Sequence, residues 1–171
     1  MIRILLICFC GWMLSGCLSG GYQTPETLHQ ATVQAGAFPI STWRSKTLKS
    51  SPGPLTIIIE GDGRAFTRSG RIGRNPTPHH PLAPQLAAQI PGAIALARPC
   101  QFEGKKTTIC HDAKYWTSHR WAPEVIHAYD TAITTLKQAE SANDIHLIGF
   151  SGGAAVALLV AAKRDDITRI T

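Results

Sequence analysis

The apolar positions of this chain fall into short runs separated by longer, helix-like stretches. Leu55-Thr56-Ile57-Ile58-Ile59-Glu60 is the clearest run. It is continuous and β-branched, the pattern of a strand buried on both faces. Ala93 to Ala97 and Ile145 to Ile148 are shorter runs of the same kind, and Phe38 to Thr47, with Trp43, alternates in part and also reads as a strand. Leu82, Leu86 and Ile90 recur at a spacing of four and predict a helix that Pro91-Gly92 stops. A second helix opens at Pro123, where a proline suits the first turn, and runs to about Ala142. Its apolar stripe is Val125, Ile126, Tyr129, Ile133 and Leu136. Ala154 to Ala162 predicts a third helix, and Ile167 to Thr171 reads as the start of a further strand. Strands alternating with helices predict an α/β fold. Ser50 to Pro54 is a turn, whereas Arg64 to Pro81 and Pro99 to Trp121 are long irregular segments.

The N-terminus follows a different rule. Arg3 precedes an apolar run from Ile4 to Leu14, the length of a signal-peptide core and too short to span a bilayer. Leu14-Ser15-Gly16-Cys17 resembles the lipobox of bacterial lipoproteins, in which the cysteine is diacylated and becomes the mature N-terminus. An ordinary secretory signal cleaved nearby is the alternative. The expected organisation is a signal peptide over 1–16, a lipidated Cys17 with a polar tether over 17–36, and a folded domain over 37–171. One short helix is expected in the tether, around Glu26–Gln34. The chain is then exported and lipid-anchored to the cell envelope, on the outer membrane of a Gram-negative host because Leu18 and not Asp follows the cysteine.

Composition adjusts this picture only slightly. The 171 residues carry a formal charge of +6, with no Lys/Arg cluster interleaved with aromatics, so no nucleic-acid partner is expected. Cys8 and Cys10 lie in the signal segment, which leaves Cys100 and Cys110 as an even pair in an oxidising compartment. A disulfide between them is expected, with two free thiols as the alternative. Two cysteines with only His111 beside them fall short of a metal site, and neither a metal nor a cofactor is expected.

Candidate chemistry centres on Gly149-Phe150-Ser151-Gly152-Gly153, between a predicted strand and a predicted helix. That context makes G-x-S-x-G a nucleophile elbow, with Ser151 as nucleophile and the Gly152 N–H as an oxyanion donor. Otherwise Ser151 merely caps a helix in a glycine-rich turn. Gly61-Asp62-Gly63 directly follows the clearest strand, where the other oxyanion donors of such a site arise, so Asp62 and Gly63 are candidates. Trp116 and Trp121 are candidates to line a cleft, or simply to pack the loop. Histidines 79, 80, 111 and 119 stand in loops, whereas His127 and His146 stand on a helix and in a strand, and all read as solvated or structural.

The runs I-I-I-E-G-D-G-R-A-F, N-P-T-P-H-H-P-L-A, L-A-R-P-C-Q-F, Y-W-T-S-H-R-W-A-P-E-V and G-F-S-G-G together resemble the α/β-hydrolase superfamily. More narrowly they resemble a group of bacterial envelope lipoproteins of that fold, over most of residues 55–171; Asn75 stands where that group would carry Asp. The resemblance implies a mostly parallel sheet with helices on both faces. It also implies hydrolysis of a small ester or acyl substrate through an acyl-enzyme on Ser151. In that family the acid and then a histidine follow the nucleophile. Here no histidine follows Ser151, and Asp165 and Asp166 precede the next strand. The chain is therefore expected to be the N-terminal part of such a domain, cut after the elbow helix and inactive by itself. The alternative is a non-catalytic, lipid-anchored protein that keeps the fold. A patatin-like acyl hydrolase, with Gly61 to Arg64 as its oxyanion loop, is a more distant alternative. Oligomeric state leaves no mark in the sequence.

Overall fold

A computed structural model describes residues 22–47, 53–102 and 107–171. The expected signal peptide and Cys17 lie outside the described residues, as does most of the turn at Ser50–Pro54. Six strands form one sheet: β1 (Leu28–Ala35), β2 (Phe38–Ser45), β3 (Leu55–Ile59), β4 (Ile94–Leu96), β5 (Ile145–Gly149) and β6 (Ile167–Ile170). The helices are α1 (Leu82–Ala87), α2 (Pro123–Ala139) and α3 (Gly152–Ala161). The strand order is β1-β2-β4-β3-β5-β6. Antiparallel pairing joins β1 to β2 and β2 to β4, and parallel pairing joins β4 to β3, β3 to β5 and β5 to β6. Only β2 therefore opposes the common direction. The expected mostly parallel α/β sheet is present, with the elbow on a strand next to the central β3.

Alternation along each strand divides the core in two. Leu55, Ile57 and Ile59 of β3, Ile94 and Leu96 of β4, and Ile145 and Leu147 of β5 point to one face. There the α2 stripe of Val125, Ile126, Tyr129, Ile133 and Leu136 covers them, with Val156 and Val160 of α3. Ile58, Ala93, Ala95 and Ala97 point to the other face, against Ala83 and Ala87 of α1. Alanine on both sides lets this short helix lie close to the sheet. Trp43 closes the same face, with its ring edge-on to Phe102 at 4.6 Å and to Tyr22 at 6.2 Å. Ile57, Ile58 and Ile59 have no exposed surface, as a strand covered on both faces requires.

The expected helix at Glu26–Gln34, within the expected tether, is replaced by β1. Only Leu28 and Ala35, at its two ends, are buried, so its side chains carry no clear period. The backbone ladder to β2 holds it instead, closed by a two-residue turn in which Gly36 takes φ +61°. The irregular segment after β4 contains two short 3-10 turns, Thr108–His111 and Ala113–Trp116.

A polar cluster secures the far end of the sheet. Arg164, just past α3, donates to Asp130 and Thr134 of α2 and to Asp166, which also pairs with Lys137. Arg164 foremost, and Lys137 with it, hold the Asp166 carboxyl down from the ordinary value of 3.8 to about 2. A carboxyl lowered by folding adds stability that is fully present above its unfolded pKa and is lost as pH falls through its folded one. The melting temperature should therefore decline between about pH 4 and pH 2. Asp166→Asn should flatten that decline while lowering the value at neutral pH, as thermal unfolding followed by circular dichroism across this range will test.

Candidate active site

The central strands β3 and β5 lie side by side, and their carboxyl ends open onto the same edge of the sheet. The strand order reverses between them, and such a reversal leaves a crevice at the strand ends. β5 runs into Phe150 and Ser151, and α3 begins at Gly152. Phe150 N–H donates to the Ile59 carbonyl at 3.1 Å, which ties the turn to the end of β3. Ser151 takes φ +53° and ψ −121°, a region costly for a non-glycine residue. The surrounding glycines explain why the strain persists. A Cβ on Gly153 would lie 2.4 Å from the Ile59 carbonyl oxygen and 2.5 Å from that of Glu60; one on Gly149 would lie 2.5 Å from Ala154 Cα. Strand, turn and helix thus pack backbone to backbone, which forces the intervening serine upward. Ser151 is exposed, does not cap α3, and its hydroxyl has no hydrogen-bond partner among the described residues.

The turn Gly61-Asp62-Gly63 faces this elbow. Gly61 abuts it so closely that a Cβ there would lie 3.3 Å from Ser151 Cβ and 3.0 Å from the Phe150 ring. Gly63 takes φ +61° and packs on the opposite side, against the Pro76 carbonyl and Gln101. Among the described residues, the N–H groups of Asp62, Gly63 and Gly152 are engaged by no other protein group. The sequence-predicted Ser151, Gly152 and Asp62 are therefore brought together, with Gly63 on the far side of the same turn.

Asp62 brings a negative charge to the same place. Its carboxylate lies against the α carbon of Gly152, where a Cβ would come within 2.2 Å of Oδ1. Left alone, that charge would oppose an oxyanion forming nearby. Two arginines balance it. Arg98, buried after β4, donates to Oδ1 at 2.7 Å, and the Arg120 Nε lies 3.3 Å from Oδ2 as an ion pair without hydrogen-bond alignment. Arg98 also donates to the Arg120 carbonyl, which ties the start of the β4–α2 segment to its end.

Buried polar side chains fix the turn from below. Gln101 accepts from Arg98 N–H at 3.0 Å and donates to the Gly61 carbonyl at 2.9 Å. Glu60 accepts from Gly61 N–H and from Ala83 N–H, each at 2.8 Å, which links the turn to the start of α1. Burial pushes the Glu60 carboxyl up, against the pull of these backbone donors. Asn75 accepts from Thr77 N–H at 2.9 Å and so shapes its own loop. The expected disulfide joins Cys100 to Cys110, with α carbons 5.3 Å apart.

The two tryptophans divide between the two readings. Trp116 is buried beside the disulfide and donates to the Gly73 carbonyl at 3.0 Å, so it packs the loop. Trp121 reaches the elbow: it donates to the Gly152 carbonyl at 3.3 Å, under the Arg120 guanidinium at 3.9 Å from its ring. No histidine bonds to Ser151 among the described residues: His79 meets Arg64, His119 meets Ser118, and His146 meets Thr171. No group of His, Cys, Asp and Glu suited to a metal ion occurs among them either. Arg98, Gln101 and Arg120 carry no role in the sequence analysis, and their signal there is that each stands within a run that carries the family resemblance.

No protein-family model matches the chain, and no curated protein matches it. Solved structures do. Est1E from Butyrivibrio proteoclasticus is 19% identical with a TM-score of 0.46, and the match covers 82% of this chain and 49% of that one. A hormone-sensitive lipase from a metagenome library is 15% identical with a TM-score of 0.48, over 83% of this chain and 40% of that one. For a proline iminopeptidase from Mycobacterium smegmatis the values are 14% and 0.47, over 83% and 42%. The chain thus spans half or less of the length of these three.

Two substitutions test how the site is held. Gly153→Ala should destabilise the fold by about 2–3 kcal/mol, because the new methyl meets two backbone oxygens that cannot yield separately. Arg98→Met should cost about 2–4 kcal/mol by leaving Asp62 poorly compensated. Adding Asp62→Asn to Arg98→Met should restore part of that loss, which urea denaturation of the single and double variants will measure.

Proposed function

We infer that this chain, α/β-hydrolase-like in architecture, carries the nucleophile and oxyanion side of a serine hydrolase acting on an ester or related acyl bond. The reading is supported by the strained, exposed Ser151 and by the unengaged N–H groups of Gly152, Asp62 and Gly63 on the two turns that meet there. The Ser151 hydroxyl attacks the substrate carbonyl, and these N–H groups receive the charge that develops on its oxygen. The acyl group passes to the serine oxygen, the alcohol or amine leaves, and water then releases the acid. A serine hydroxyl needs a base to take its proton. Among the described residues no such base is hydrogen-bonded to Ser151.

We further propose that Cys17 carries lipid and holds the protein to the cell envelope. The lipobox-like Leu14-Ser15-Gly16-Cys17, after its apolar run, supports this reading, and the disulfide suits an exported protein. The second reading is a lipid-anchored protein that keeps the fold without the chemistry. It is favoured by the absence of any base bonded to Ser151 among the described residues.

A fluorophosphonate probe applied to the full-length protein separates the two readings. Covalent labelling should appear and should vanish in Ser151→Ala, while Ser118→Ala labels as well as the parent. A full-length protein that folds but takes no label would establish the non-catalytic reading.

A further inference from the structure

The loop after the oxyanion turn is built the wrong way round for a soluble surface. Residues 65–73 form a small hairpin: Gly73 N–H donates to the Ala65 carbonyl at 2.8 Å, and Thr67 N–H to the Arg71 carbonyl at 2.8 Å. Thr67 to Gly70 closes it, with Gly70 at φ +76°. Phe66 and Ile72 are directly opposed across the two arms, so their side chains share one face. The neighbouring pair, Ala65 and Gly73, points the other way and is buried over Trp116 and the disulfide. The hairpin therefore buries its small residues and turns its large apolar ones outward. Phe66 is 51% exposed and Ile72 is 55% exposed.

Charge surrounds this apolar pair. Arg64, Arg68, Arg71 and Arg74 lie on or beside the hairpin, and no Asp or Glu occurs from Gly63 to Phe102. All four arginines are exposed. Among the described residues none of them forms an ion pair: Arg64 is bonded to the Thr77 carbonyl and His79, and Arg71 to Ser69. Together they line an open groove of about 1040 Å³ that includes Phe66 and Ile72. Elsewhere among the described residues Arg44, Arg98, Arg120 and Arg164 each meet a carboxylate, and Arg169 alone does not.

We propose that hairpin 65–73 docks on an anionic phospholipid surface, with Phe66 and Ile72 entering the headgroup–acyl boundary and Arg64, Arg68, Arg71 and Arg74 meeting lipid phosphates. Unpaired cations around an outward apolar pair match a surface that is anionic outside and apolar beneath. A single soluble phosphate would explain the arginines but leave Phe66 and Ile72 facing water. A nucleic acid would ask for several stacking aromatics, and the groove offers one. The contact is separate from any lipid on Cys17 and needs no chemistry at Ser151. It would set the oxyanion turn, which leads directly into Arg64, facing the bilayer.

Flotation of the full chain with vesicles tests this. The parent, Arg68→Gln/Arg71→Gln and Phe66→Ser/Ile72→Ser share one N-terminus, so differences between them belong to the hairpin. Matching melting temperatures will verify that these exposed substitutions leave the fold intact. On phosphatidylcholine vesicles with about 30% phosphatidylglycerol, the charge variant should bind about 30-fold more weakly than the parent. The gap should close in about 0.5 M NaCl and be absent on pure phosphatidylcholine. The apolar variant should lose about tenfold or more on the mixed vesicles. Equal binding by all three proteins would overturn the proposal. So would an apolar variant that binds like the parent while excess inorganic phosphate or a short single-stranded oligonucleotide strips the parent from vesicles.

Discussion

The approach of the α3 N-terminus to the end of β3 governs the candidate site. Backbone meets backbone there, with room for no side chain at Gly153 and none at Gly149. That closeness aligns the turn after β5 with the turn after β3 and holds Ser151 in a conformation it would not choose. It depends in turn on the sheet order, which makes β3 and β5 parallel neighbours with their carboxyl ends at one edge. Placing β5 anywhere else would leave the serine and the glycine turn on separate parts of the molecule.

Electrostatics at this edge form a second level of organisation. Asp62 brings an unengaged N–H and also a carboxylate beside Gly152. Arg98 and Arg120 balance that carboxylate, from the two ends of the segment between β4 and α2. Gln101 then joins the Arg98 backbone to the Gly61 carbonyl. The turn is thus held through polar groups, whereas the strand beneath it is held through isoleucines.

Legibility of these features in the sequence follows their physics. β3 could be read because a strand buried on both faces leaves an apolar run, β5 because its short run leads straight into a glycine-rich turn, and the α2 stripe because one face repeats at helical spacing. Gly149 and Gly153 could be read because close backbone packing demands glycine at a fixed spacing around the serine. β1 could not, since an edge strand buried only at Leu28 and Ala35 shows neither period. Arg98, Gln101 and Arg120 could not either. Each meets Gly61 or Asp62 from far along the chain, so only the folded chain joins them. Trp116 and Trp121 look alike in sequence, and only their indole partners, Gly73 and Gly152, tell packing from site.

The disulfide divides the molecule by its response to thiols. Neither cysteine belongs to the cores on the two faces of the sheet. Cys100 instead sits beside Gln101, at φ +67°, and Cys110 anchors the far side of the loop that holds Trp116 against Gly73. Reduction therefore acts first on the rim: the brace under Gly61, the seat of the 65–73 hairpin, and the path of the chain toward Arg120 and Trp121. Oxidation of this one pair tightens the edge where Ser151 stands and adds nothing to either core.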